Sequence, residues 1–191
     1  MRKIPTVFLR DEQDRKYVTS TPNPDAAWVF AGEGQATRKY DGTCVRTDGE
    51  TWWARREVKP GKTAPAGFEP VEHDETTGKT VGWEPAEQSA FVKYLREALT
   101  EARELPAGTY ELIGPKVNGN PERADRHVLV SHDAAARVAA DDLTYEGIRQ
   151  AVLALADDGV EGIVWHHPDG RMAKIKARDF ARSAGTPVSP A

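Results

Sequence analysis

The 191-residue chain is long enough to bury a core of its own. It carries 39% hydrophobic and 29% charged residues at a net charge of −4. That balance excludes a polycationic coat protein, so any nucleic-acid contact has to come from a local basic surface. Cys44 is the single cysteine, which excludes an internal disulfide framework and a zinc site built on cysteines, and points to a reducing, cytoplasmic compartment. No apolar run is long enough to cross a membrane, and Met1-Arg2-Lys3 is not followed by a signal-peptide core.

Short segments rich in apolar, β-branched or aromatic residues predict strands over Thr6–Leu9, Tyr17–Thr19 and Ala27–Phe30. Thr43–Thr47 and Thr51–Arg55 form a predicted hairpin around Asp48-Gly49. Lys59–Pro85 turns to Pro, Gly, Thr and acidic residues without periodicity and reads as a long irregular loop. Gln88–Glu104 is the clearest helix, with Phe91, Tyr94, Leu95, Ala98, Leu99 and Ala102 on one face and Pro106 and Gly108 as stops.

Strands follow over Thr109–Gly114 and Val128–Ser131, then an amphipathic helix over Thr144–Ala156 that stops at Asp157-Asp158-Gly159. A last hairpin, Gly162–His166 and Arg171–Ile175, turns at Pro168-Asp169-Gly170. From Ser183 onward the Gly/Pro/Ser content predicts a disordered tail. The fold class expected from this order is α+β with mainly antiparallel sheets and flanking helices, as one domain over residues 1–182.

Four segments carry chemistry. Lys39-Tyr40-Asp41-Gly42 holds a lysine beside a carboxylate and a glycine. Tyr110-Glu111-Leu112-Ile113-Gly114, Glu161-Gly162-Ile163-Val164 and Lys174-Ile175-Lys176 add two carboxylates and two lysines, and Arg55 and Arg56 lie between the first two segments. A lysine amine attacks phosphorus only when unprotonated, and neighbouring cations favour that form. Lys174 and Lys176 are two apart, so on a strand they share a face and can hold phosphate oxygens. Glu161 opens the same hairpin, suited to a divalent metal held by few carboxylates and substrate phosphates. Taken alone, Lys-x-Asp-Gly is a common surface turn. The specificity comes from the ordered set.

That set resembles the covalent nucleotidyltransferases, which include the ATP-dependent DNA and RNA ligases and the mRNA-capping guanylyltransferases. Lys39-Tyr40-Asp41-Gly42 matches their first motif, Glu111 the strand-borne glutamate of the third, Glu161-Gly162-Ile163-Val164 the fourth and Lys174-Ile175-Lys176 the fifth. With Trp52-Trp53-Ala54-Arg55, Asn118-Gly119-Asn120-Pro121 and Trp165-His166, the chain is most similar to small single-domain 5′–3′ RNA ligases. The resemblance runs from about Ala36 to Lys176.

It implies an ATP-grasp-like ligase adenylation fold and, as catalytic residues, Lys39, Asp41, Lys174 and Lys176. Nucleotide binding falls to Lys39, Gly42, Arg55, Glu111, Glu161, Lys174 and Lys176, and Glu161 holds Mg²⁺ or Mn²⁺. The implied substrates are ATP and RNA with 5′-phosphate and 3′-hydroxyl ends, in a role such as RNA repair. Arg56, Arg123 and Arg126 are the candidate RNA contacts. Only 15 residues follow Lys176, so no C-terminal OB-fold domain is expected, although Arg178 and Arg182 add charge there. A DNA ligase or other polynucleotide adenylyltransferase and a non-catalytic end-binding module stay open. His166 and His167, adjacent on a strand, face opposite sides and read as turn-flanking. Cys44 reads as buried packing.

Overall fold

The computed structural model describes residues 1–102 and 105–180. The expected tail over 183–191, Arg182 and the end of the predicted helix at Arg103-Glu104 lie outside the described residues. Eleven strands are described: β1 (Phe8–Arg10), β2 (Val18–Pro22), β3 (Gln35–Lys39), β4 (Thr43–Thr47), β5 (Trp52–Val58), β6 (Glu69–Asp74), β7 (Lys79–Pro85), β8 (Gly108–Ile113), β9 (Val128–Ser131), β10 (Gly162–His166) and β11 (Met172–Lys176). With them go helices α1 (Ala27–Phe30), α2 (Val92–Glu101) and α3 (Tyr145–Asp157), and three 3₁₀ turns. The strands pair antiparallel, in sheets ordered β1-β2, β11-β10-β3 and β6-β7-β5-β4-β8-β9. The architecture is α+β with mainly antiparallel sheets. Among the described residues no helix is long and apolar enough to cross a membrane.

Each of the two larger sheets buries one face and leaves the other polar. Ile163, Trp165, Ala173 and Ile175 alternate along β10 and β11 into a core completed by Ile148 and Val152 of α3 and by Trp28 and Val29 of α1. Val45, Ala54, Tyr110 and Leu112 do the same on the large sheet against Leu95 and Ala98 of α2. Period-two alternation therefore sends Thr37, Lys39, Val164, Lys174 and Lys176 from the small sheet, and Cys44, Arg55 and Glu111 from the large one, away from these cores.

The edges of the three-stranded sheet are covered. Residues 136–138 run along β3, with Arg38 N–H donating to the Ala136 carbonyl at 2.7 Å and Val138 N–H to the Ala36 carbonyl at 3.1 Å. On the β11 side, Val7 N–H donates to the Lys174 carbonyl at 3.0 Å and Lys174 N–H to the Pro5 carbonyl at 2.9 Å. Such cover removes the pairing hazard of bare edges.

Two expectations are corrected. Ala27–Phe30 is one turn of helix, not a strand. The Asn23 side chain caps the Asp25 N–H, and Pro24 at the first position starts a 3₁₀ turn that runs into α1. Lys59–Pro85 is not a structureless loop: it contains the β6–β7 hairpin, whose tip has Gly78 at φ 65° and Asp74 accepting from Thr76 and Thr77 N–H. Pro70 is tolerated there because β6 is an edge strand with a bulge between Pro70 and Glu72.

Candidate functional site

Register, more than proximity in sequence, assembles the site. On β10, Gly162 pairs with Lys39 of β3 on one side and with Lys176 of β11 on the other. Glu161, one residue earlier and just ahead of the strand, reaches between these two lysines. Its Oε2 lies 2.5 Å from Lys39 Nζ, its Oε1 pairs with Lys176 Nζ, and Arg178 Nη2 approaches Oε1 at 3.4 Å. The carboxylate side chain is only 9% exposed. Burial works against its charge, but Lys39 and Lys176 outweigh burial and hold the Glu161 carboxyl below its usual range.

Gly162 is required by this approach: a Cβ there would run into the Ile175 carbonyl and the Lys176 backbone. Lys174, two residues from Lys176, takes the same face and lines the crevice. Burial lowers its pKa to about 8, with Lys176 and Lys39 adding to the effect.

The large sheet forms the opposite wall. Gly42, at the end of the motif turn, fits under β8 so closely that a Cβ would enter the Leu112 carbonyl. Its N–H donates to Glu111 Oε1 at 3.1 Å. Glu111 is buried, and its Oε2 lies 3.0 Å from His132 Nε2. Arg55 also lines the crevice and donates to the Met1 carbonyl, so residues Met1–Ile4 form part of the wall. The space enclosed is ≈ 230 Å³.

Burial and the Glu111 carboxylate push the Cys44 thiol up to about 12. Burial, with His132, lowers the His166 pKa, so near neutrality its ring is uncharged; its Nε2 lies 3.1 Å from the Thr37 hydroxyl.

A loop from β8 to β9 locks the motif turn from outside. Glu122, its side chain 3% exposed, pairs with Arg38 and accepts from Asp41 N–H at 2.8 Å. Asn118 Nδ2 donates to the Gly42 carbonyl at 2.7 Å and to Asp41 Oδ1 at 3.2 Å. Asn118, Asn120 and Arg123 all take positive φ (48°, 60° and 51°). Three such residues in one short loop mark a conformation held by its surroundings.

Lys39, Arg55, Glu111 and Lys174 thus line one crevice. Glu161 and Lys176 join it through the ion pair to Lys39, and Gly42 through its hydrogen bond to Glu111, while Asp41 is held by Asn118 and Glu122. Arg56 lies off it, 3.9 Å from Glu84, and Arg126 pairs with Glu101 of α2. Arg123 is held in the outer loop. His166, read as turn-flanking, faces the crevice, whereas His167 points the other way toward Glu33 and Asp169. Cys44 lines the crevice, because its neighbour Val45 takes the core position.

Glu122, His132 and Thr37 carry no motif of their own. The only sequence signal for Glu122 is its place directly after Asn118-Gly119-Asn120-Pro121.

The sequence profile of RNA ligase 1 matches residues 87–183, half of the chain. The chain belongs to the RNA ligase 1 family. A zebrafish (Danio rerio) protein named RNA ligase 1 is 36% identical over 77 residues, covering 38% of this chain and 24% of that protein. The matched stretch thus spans about a quarter of the relative's length. The family match contains Glu111, Glu122, Glu161, Lys174 and Lys176 but begins well after Lys39. The β3–β10 register is what brings Lys39 into that set.

Proposed function

We propose that this RNA ligase family member is an ATP-dependent RNA ligase with a nucleotidyltransferase fold, working through a lysyl-adenylate at Lys39. The observation that carries the reading is Glu161 held between Lys39 and Lys176 by the pairing of Gly162 with both. A lysine kept beside a carboxylate and two further lysines is equipped to meet a polyphosphate and poorly suited to a solvated surface turn.

In the first step the Lys39 amine attacks the α-phosphorus of ATP. A nitrogen–phosphorus bond forms, the bond to the bridging oxygen breaks, pyrophosphate leaves and the amine gives up its proton to solvent. Lys174 and Lys176 hold phosphate oxygens, and Glu111 accepts from the ribose hydroxyls. Each step displaces a group at phosphorus, so positioning and charge neutralisation dominate. Asp41, fixed by Asn118 and Glu122, orients the turn that presents Lys39.

Glu161 is a single carboxylate surrounded by cations, so it fits a magnesium ion only together with nucleotide phosphates. The ion would supply charge neutralisation on those phosphates. Engaging Glu161 there would also free Lys39 from its ion pair. In the second step a 5′-phosphate oxygen of RNA attacks the adenylate phosphorus, the nitrogen–phosphorus bond breaks and Lys39 regains its proton. In the third a 3′-hydroxyl attacks the activated end, a phosphodiester forms and AMP leaves.

The test is strand joining with end-labelled RNA bearing a 5′-phosphate and a 3′-hydroxyl, beside DNA of the same sequence. Adenylylated and joined RNA, both absent with Lys39→Ala, support the reading. Joining of DNA alone overturns the assignment to RNA.

A further inference from the structure

One cluster on the large-sheet wall is not needed for phosphate chemistry. Cys44 of β4 and Glu111 of β8 are direct partners in the antiparallel ladder and so share a face. His132, just past β9, comes over the same spot and is pinned twice by Thr109. Its N–H donates to the Thr109 carbonyl at 3.1 Å, and its Nδ1 lies 2.9 Å from the Thr109 hydroxyl. That leaves Nε2 aimed at Glu111. The thiol sulfur, a carboxylate oxygen and an imidazole nitrogen all lie within 4.8 Å of one another. Among the described residues the thiol hydrogen-bonds only the neighbouring Val45 carbonyl, at 4.0 Å.

We propose that Cys44, Glu111 and His132 bind one thiophilic dication, zinc foremost, and that the bound ion closes the crevice to nucleotide. The donor set decides the metal. Sulfur, imidazole and carboxylate suit zinc, whereas magnesium takes oxygen ligands and keeps several waters. Zinc bonds of about 2.0–2.3 Å at tetrahedral angles space the donors about 3.3–3.7 Å apart. The His132–Glu111 pair, at 3.0 Å, is already near that spacing, and the sulfur, within 4.8 Å, has to move in by roughly 1 Å, within reach of side-chain rotation.

The Thr109 contact to Nδ1 is the outer hydrogen bond that orients a metal-bound histidine. On binding the ion displaces the Cys44 thiol proton to solvent, and with a thiolate and a carboxylate the bound ion is neutral overall. It therefore tolerates Arg55, whose guanidinium is turned to the Met1 carbonyl. Three protein ligands leave a fourth position open, within the crevice that Lys39 also lines. Closure rests on the function proposed above, because it requires Glu111 for the ribose. Metal binding does not rest on it.

The experiment uses the full chain with cobalt(II) as the spectroscopic probe. One cobalt per chain, with a thiolate-to-cobalt charge-transfer band that zinc displaces, supports the site. Cys44→Ser should abolish the band. Thr109→Val, which leaves all three donors in place, should weaken zinc about 10- to 100-fold. Cobalt bound without the band, or a band that survives Cys44→Ser, overturns the site.

Closure is read from lysyl-adenylate formation. Zinc should suppress it in the wild type and lose that effect in Cys44→Ser, each measured against its own zinc-free rate. Equal suppression in both, or none in the wild type, overturns closure. No adenylate even in zinc-free wild type counts against the proposed function instead and leaves the cobalt result to stand.

Discussion

Glu122 ties the loop between β8 and β9 to the turn that presents Lys39, and its removal has a size the structure fixes. In Glu122→Ala, Asp41 N–H loses its acceptor and Arg38 loses its ion-pair partner. Beyond the Tyr40 ring, 4.8 Å away, Arg38 has little to fall back on, because its Nε is already buried without a hydrogen-bond partner among the described residues. Breaking a buried pair from one side costs about 3–5 kcal/mol, and the Arg38 side chain is 28% exposed, so the low end, about 3 kcal/mol, applies.

Glu122→Gln keeps an acceptor for Asp41 N–H and loses only the charge, for about 1–2 kcal/mol. With a urea slope of about 2 kcal/mol/M, Glu122→Ala should unfold roughly 1.5 M earlier than wild type. Glu122 does not line the crevice. The glutamine variant should therefore lower the rate of lysyl-adenylate formation roughly 10- to 100-fold while leaving nucleotide KM nearly unchanged. An alanine variant within about 0.5 kcal/mol of wild type, or a change confined to KM, would refute this positioning role.

Gly162→Ala places a methyl against the Ile175 carbonyl where β10 and β11 pair. It should cost about 1–3 kcal/mol in urea unfolding and disturb the Glu161–lysine cluster together with stability. Lys174, with its pKa at about 8, is charged below that pH and neutral above it. Affinity for a nucleotide triphosphate should accordingly fall as pH rises through about 8 in the free protein. Lys174→Arg, whose guanidinium stays charged, should flatten that fall in a titration followed by calorimetry. The linked stability runs the other way: the unfolded chain binds the Lys174 proton up to its ordinary 10.5, so between about 8 and 10.5 this group makes stability rise with pH. Lys174→Met should remove that rise in a comparison of unfolding midpoints.

The hairpin that Glu161 opens and that carries the lysine pair was legible because alternation and a Pro-Asp-Gly turn define it, and β4, β9 and β10 fall where the pattern puts them. The β6–β7 hairpin was not. Pro70 and a bulge break its alternation, and Gly82 lies where a Cβ would strike the Glu69 carbonyl. The turn at Ala27–Phe30 looked like a strand because its residues are apolar, yet Asn23-Pro24-Asp25 already carried a helix start.

Within the site, Lys39, Glu111 and Glu161 stand out because their neighbours form recognisable phrases. His132, His166 and Glu122 reach the site from element ends and a loop, where no period marks the direction of a side chain. Which of Arg55 and Arg56 meets the crevice follows from pleating only once the pairing with β4 and β7 is known.

Intact mass followed by peptide mapping, after incubation with ATP and magnesium, tests the central claim most directly. The account predicts one added adenylyl group on Lys39, removed by pyrophosphate and absent in Lys39→Ala. An adduct on another lysine, or an unmodified chain under both magnesium and manganese, would contradict it.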